Sequence, residues 1–204
     1  MAVSPGRIPG LISLDPLLVV LDLDETLVHS PHAALTDPPA FALGTYSVYV
    51  RPFLKVFLQE VFSKYLVAIW TAAGCEFAEG VVANIVAPES PLQFLWSAEC
   101  CTQRFDRETR EHFTVKKLRK IRKKGYDLAR VLVIDDSPEK HMLNYGNLVQ
   151  VVPFTGDSTD AELLRLLPYL EWINTEANVR AIDKRNWRDH VRGCPTHAPR
   201  RTDP

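Results

Sequence analysis

A chain of 204 residues is long enough to bury a sizeable core as one domain. With 24 basic and 25 acidic residues, its net charge of −1 excludes a global attraction to nucleic acid or to an anionic membrane. No apolar stretch approaches the roughly 20 residues that span a bilayer. Four cysteines (Cys75, Cys100, Cys101 and Cys194) do not make a disulfide framework, so a reducing, cytoplasmic setting is expected, or a nuclear one in a eukaryote.

Residues 1–16, broken by Pro5, Pro9, Gly10 and Pro16, read as a loose leader without the charged and apolar regions of a signal peptide. Leu17-Leu18-Val19-Val20-Leu21 is short, apolar and β-branched, the pattern of a buried parallel strand. Residues 29–44 read as a loop, and Thr45 to Val50 as a short strand with Tyr46, Val48 and Val50 on one face. Pro52 sits well in the first turn of a helix reaching about Tyr65. Leu66 to Trp70 is a second buried strand, and a helix from about Glu76 to Val86 follows. Phe94-Leu95-Trp96 reads as a strand, and the polar stretch Arg104 to Glu111 as a loop or hairpin tip.

A basic helix is expected over Thr114 to Lys124, with Gly125 closing it. Val131 to Ile134 and Leu148 to Val152 complete the strands. A last helix over Ala161 to Ile173 begins with a capping box of Thr159 and Glu162, and Pro168 implies a kink or two short helices. Strands alternating with helices predict a three-layer α/β fold over residues 17–174, with a central, mainly parallel sheet. Residues 175–204 read as a tail, partly disordered or draped on the surface.

The chemistry lies where the apolar runs end. Residues two apart on a strand face the same way, so Asp22 and Asp24 converge at the first strand's carboxyl end, where open α/β sheets place their ligand sites. Thr71 ends the second run and Asp135-Asp136 the third. Lys116, expected in the first turn of the basic helix, adds a cation. Two carboxylates forced together either repel or share a cation, and a hard divalent ion such as Mg²⁺ is the usual answer. Acids, a hydroxyl and a lysine at one sheet edge point to metal-assisted phosphoryl chemistry.

This order of motifs resembles the haloacid dehalogenase (HAD) superfamily of phosphotransferases. More narrowly, Leu21 to Val28 (LDLDETLV), Arg51-Pro52, Trp70-Thr71-Ala72 and Val131 to Pro138 (VLVIDDSP) resemble the FCP/SCP-like, or NLI-interacting-factor-like, protein serine phosphatases. The resemblance spans roughly residues 17 to 172, with four motifs in order. It implies a Rossmannoid sheet with a small β-hairpin insertion and no large cap domain. It implies Mg²⁺-dependent hydrolysis of a phosphomonoester, on phosphoserine or phosphothreonine of a protein or peptide.

Carried over by motif, Asp22 becomes the nucleophile that forms an aspartyl-phosphate, and Asp24 the general acid and base. Mg²⁺ sits among the Asp22 carboxylate, the Asp24 carbonyl and Asp136, with Asp135 in support. Thr71 and Lys116 bind the phosphate, Lys117 being the alternative lysine. The family's apolar patch beside the phosphoserine suggests Phe41, Tyr46 and Val48 as substrate contacts. Its substrate-selecting arginine has no clear counterpart; Arg104 and Arg107 are candidates. A phosphoprotein partner, a monomer and no membrane or nucleic-acid partner are expected.

Other readings stay open. The chain could be an uncapped HAD phosphatase for phosphotyrosine, sugar phosphate or nucleic-acid ends, or a silent phosphopeptide-binding relative. The seven basic residues of 116–124 are a solvated helix face or a docking patch for an anionic peptide. Cys194 and His197, with His190, have a metal-like spacing but lack a fourth ligand. Cys75 reads as a packed thiol, Trp70 and Phe57 as core, and His141 as a surface residue.

Overall fold

The computed structural model of the protein describes residues 14–191; most of the leader, Cys194 and His197 lie outside the described residues. Five parallel strands form the central sheet: β1 (Leu18–Leu21), β5 (Leu66–Trp70), β6 (Leu92–Trp96), β9 (Val131–Asp135) and β10 (Leu148–Gln150), in the order β10-β9-β1-β5-β6. β1 is central, and Leu21 pairs with Ile69 of β5 on one side and Ile134 of β9 on the other. The carboxyl ends of the three apolar runs are thereby neighbours. Both faces of β1 are covered, which explains its unbroken apolar run.

Its side chains alternate between two cores. Val19 and Leu21 face α1 (Leu54–Lys64), α2 (Cys75–Ile85) and α4 (Glu162–Asn174), whereas Leu18 and Val20 pack with Leu118 and Ile121, the latter in α3 (Arg119–Lys123). The architecture is the expected three-layer α/β fold.

Two small additions flank the site. β2 (Val28–His29), β3 (Phe41–Leu43) and β4 (Tyr46–Val50) form a sheet in the order β2-β4-β3, so the expected loop of 29–44 ends in a strand. β3 and β4 join through Gly44, whose φ of 57° suits glycine. β7 (Thr102–Phe105) and β8 (His112–Val115) form a hairpin. This pairing takes 112–115 into a strand, and the basic helix starts at Arg119 rather than Thr114. Lys116 therefore sits between strand and helix, not in a helix turn.

Other local expectations are corrected. Thr159 makes no capping box: its hydroxyl donates to Asp157, and the Glu162 N–H is taken by Asp160. α4 runs as one helix across Pro168, so of the two alternatives there the pair of short helices is not formed. Residues 175–191 lie against the domain, with α5 (Trp187–Val191) packed on α4. Trp187 is fully buried beside Tyr169, and its indole N–H donates to the Gln150 carbonyl at 2.8 Å.

Candidate active site

The loop after β1 turns sharply. The N–H groups of Thr26, Leu27 and Val28 all reach the Leu23 carbonyl, at 3.2, 2.8 and 3.0 Å, and Glu25 takes a φ of 56°. Arg51, with no exposed surface, clamps this loop from behind. Its guanidinium donates to the Thr26 carbonyl at 3.0 Å, the Val152 carbonyl at 2.8 Å and both Asp160 carboxylate oxygens at 3.0 and 2.7 Å. Asp22 stays in sheet register, its N–H donating to the Ile134 carbonyl at 3.0 Å. Asp22 is buried and Asp24 is half-buried.

Four of the expected groups meet directly. The Lys116 ammonium lies 2.8 Å from Asp22 Oδ1 and 2.6 Å from Asp135 Oδ2, all three residues being buried. Lys116 rather than Lys117 thus faces the acids. Asp22, Asp135 and Asp136 can each bring an oxygen within 4.8 Å of the others'. Thr71 accepts the Ala73 N–H at 3.0 Å and donates to Asp24 Oδ2 at 3.4 Å, which places it at the same edge.

Sequence reasoning missed three further residues. His141, expected at the surface, is fully buried and donates from Nε2 to Asp135 Oδ2 at 2.8 Å. The turn Pro138–His141 folds back under Asp135, and no periodicity signals that contact. Lys140 is half-buried, and its charge draws down the pKa of Asp22, Asp24, Asp135 and Asp136. Arg51 stood in a quoted motif without a role.

The charges are unevenly shared. Burial, then repulsion from Asp135, pushes the Asp22 carboxyl up to about 7, against the pull of Lys116 and Lys140. Burial would raise Asp135 too, yet the Lys116 ammonium and the His141 hydrogen bond hold it below the usual carboxylate range. Burial opposes the charge on Lys116, but Asp22 and Asp135 outweigh it and raise its pKa. Asp24 is raised by burial and by Glu25, and Asp136 by burial and by Asp135.

Asp135 already receives Lys116, His141 and the Ser137 N–H. Asp22 Oδ2 is buried and has no partner among the described residues. Clustered acids with an orphaned oxygen could hold a cation, and hard carboxylate donors fit Mg²⁺.

The substrate candidates separate. Tyr46 is exposed and packs edge-on to Phe77 at 5.2 Å between centroids, and Phe41 is partly exposed. Val48 has no exposed surface and belongs to the core, so it is withdrawn as a substrate contact. The expected alternation fails because both faces of β4 are covered: Tyr49 is buried too, its hydroxyl accepting the Leu35 N–H. Arg104 and Arg107 lie exposed on the β7–β8 hairpin. Cys75, expected to be packed, is exposed at the start of α2, and its thiol donates to Glu79, which pushes its pKa up and keeps it a poor nucleophile.

Acids at the end of a central parallel strand, a hydroxyl and an acid pair at the ends of its two neighbours, and a lysine joining them stand at one edge of a HAD-like fold. A sequence model of the NLI interacting factor-like phosphatases matches residues 17–180, and the chain belongs to that family. It is 30% identical over 189 residues to a probable C-terminal domain small phosphatase of Dictyostelium discoideum, covering 87% of this chain and 58% of that protein. It is 26% identical over 205 residues to CTD nuclear envelope phosphatase 1 of Xenopus laevis, covering 93% of this chain and 80% of that one.

The structure of fission yeast RNA polymerase II CTD phosphatase Fcp1 bound to beryllium fluoride shares the fold, with a TM-score of 0.53. Its 21% identity extends over 81% of this chain and 54% of that one. The chain spans less than two thirds of the Dictyostelium protein. The expected cytoplasmic location is overturned by the likeness to a nuclear envelope phosphatase, a placement that composition does not encode. Among the described residues, no helix is long and apolar enough to cross a membrane.

Proposed function

We propose that the chain hydrolyses phosphoserine or phosphothreonine in a protein or peptide, with Mg²⁺, through an aspartyl-phosphate on Asp22. The observation that carries this reading is Asp22 itself: it directly follows the central strand beside Lys116, with an oxygen unpartnered among the described residues and Asp135 and Asp136 close by. The family and its relatives, named as phosphatases, support the same reading.

Asp22 attacks phosphorus as the bond to the serine oxygen breaks, and Asp24 gives that oxygen its proton. Asp24 is suited to this because burial favours its protonated form. It then takes a proton from the water that attacks phosphorus, and Asp22 is released. Lys116 and Thr71 neutralise and orient the phosphoryl oxygens. Asp135, bound by three donors, holds Lys116 toward Asp22. Asp22, Asp136 and the Asp24 carbonyl would hold Mg²⁺, which when bound would offset the charge of the incoming phosphate.

Among the described residues the site has a small sheet and a hairpin beside it and no large cap, which suits a macromolecular phosphoester. Phe41 and Tyr46 meet residues flanking the phosphoserine. The protein acts as a monomer at the nuclear envelope or adjoining reticulum.

The test compares phosphoserine, phosphothreonine and phosphotyrosine peptides, a sugar phosphate and a phosphorylated oligonucleotide, with Mg²⁺ or with a chelator. Fastest turnover of the first two, stopped by the chelator and restored by Mg²⁺, is expected. Preference for another substrate refutes the substrate class. Peptide binding without turnover of any substrate refutes the catalytic role.

A further inference from the structure

Residues 116–124 are the most concentrated charge in the chain. They hold seven lysines and arginines and no acid, so the rest of the protein carries a net −8 where the whole carries −1. Three of the seven have partners in the fold. Lys116 is in the site, Lys120 donates to the Cys100 carbonyl at 2.7 Å, and the Lys124 ammonium lies 5.8 and 5.9 Å from the ring centres of Phe94 and Trp96. The other four have none among the described residues.

Arg119, Arg122 and Lys123 are exposed and Lys117 is half-exposed, and among the described residues none forms an ion pair. The buried side of α3 needs only Leu118 and Ile121, so packing does not call for a cation at these four positions. On a helix, residues three and four apart are neighbours, so Arg119 repels both Arg122 and Lys123. The fold tolerates that repulsion without an internal counter-ion.

The row starts at the lysine bonded to Asp22 and leads away from it. Lys116 to Leu118 precede the helix, which carries the row on from Arg119 to Lys123 by roughly 6 Å at about 1.5 Å per residue. That is less than one Debye length at physiological salt, about 8 Å, so the cations of the row act together on an anion beside them. An extended peptide covers about 7–14 Å in two to four residues, enough to run from a phosphate at Lys116 to the helix.

We propose that this face binds an acidic or second phosphorylated segment of the substrate chain, about two to four residues from the phosphoserine at Asp22. The inference rests on the phosphoprotein reading above and adds a preference to it. Arg119, Arg122 and Lys123 act on capture and register, not on the chemical step, so they raise kcat/KM mainly through KM.

The experiment uses four phosphoserine peptides: neutral flanks, an acidic pair on the amino side, an acidic pair on the carboxyl side, and a second phosphoserine. An acidic flank on one side is expected to raise kcat/KM about five- to tenfold, and the gain should fade as salt is raised. The variant R119Q/R122Q/K123Q should lose the gain yet hydrolyse p-nitrophenyl phosphate and the neutral peptide as before. Because the three side chains are exposed, its thermal midpoint should be unchanged or higher.

Equal kcat/KM on all four peptides overturns the inference, as does a gain that survives in the variant. Binding to phosphatidylserine vesicles through the same three residues, without discrimination among peptides, gives the face to a membrane and also overturns it. Failure to hydrolyse any of the four peptides, the neutral one included, strikes instead at the phosphoprotein reading.

Discussion

Replacing Arg51 by methionine keeps the length of the side chain and removes its charge and four hydrogen bonds. Asp160, only 14% exposed, is left facing an apolar group, and the Thr26 and Val152 carbonyls lose their donor. Breaking a buried pair by removing one partner costs about 3–5 kcal/mol. In a domain of this size, each kcal/mol moves the midpoint by about 2–4 °C, so Arg51→Met should lower Tm by roughly 6–20 °C.

The sign of the pH dependence follows from Asp160. Burial pushes its carboxyl up, but the Arg51 hydrogen bonds and the Glu162 N–H outweigh burial and hold it below the usual value. A carboxyl depressed in the folded state stabilises fully above its unfolded pKa of about 4, and that stability is lost as pH falls through the folded value. The gap between wild type and Arg51→Met should be widest at neutral pH and narrow below pH about 4. Urea unfolding followed by circular dichroism at a series of pH values measures it. A gap under about 1 kcal/mol at neutral pH, or one that does not change with acid, refutes the clamp.

Three more substitutions probe the site. Asp24→Asn should slow both chemical steps by about a hundredfold or more while Mg²⁺ binding persists, because its proposed ligand is a carbonyl; loss of the metal by calorimetry contradicts that geometry. His141→Ala removes a donor from a buried carboxylate and should cost about 1.5–3 kcal/mol of stability by denaturant titration. An unchanged midpoint would mean that Asp135 does not depend on the imidazole. Lys140→Gln should raise KM several-fold with a smaller effect on kcat, since its charge reaches all four acids without a hydrogen bond to them. Unchanged steady-state kinetics would remove it from the site's field.

Much of the site was legible because buried parallel strands announce themselves. Leu17 to Leu21, Leu66 to Trp70 and Val131 to Ile134 are apolar on both faces, and each ends in a polar group whose direction is set by strand geometry. Long-range partners were not legible. Arg51 bonds Asp160 across 109 residues and the Val152 carbonyl across 101, and no local pattern encodes either. His141 is reached only because a short turn folds back under Asp135.

The basic stretch was misjudged at its start because pairing with β7 overrides helical propensity at 114–115. Val48 was misplaced because alternation marks a surface face only when one side of the strand meets water. Thr159 lost its expected cap to Asp160, which also pairs with Arg51.

Rapid quenching in acid of the protein mixed with Mg²⁺ and a radiolabelled phosphoserine peptide, followed by peptide mapping, tests the central assignment most directly. Label bound covalently at Asp22 and missing in Asp22→Asn is the result expected. Turnover at the normal rate with the label on another residue, or with none retained, would contradict it.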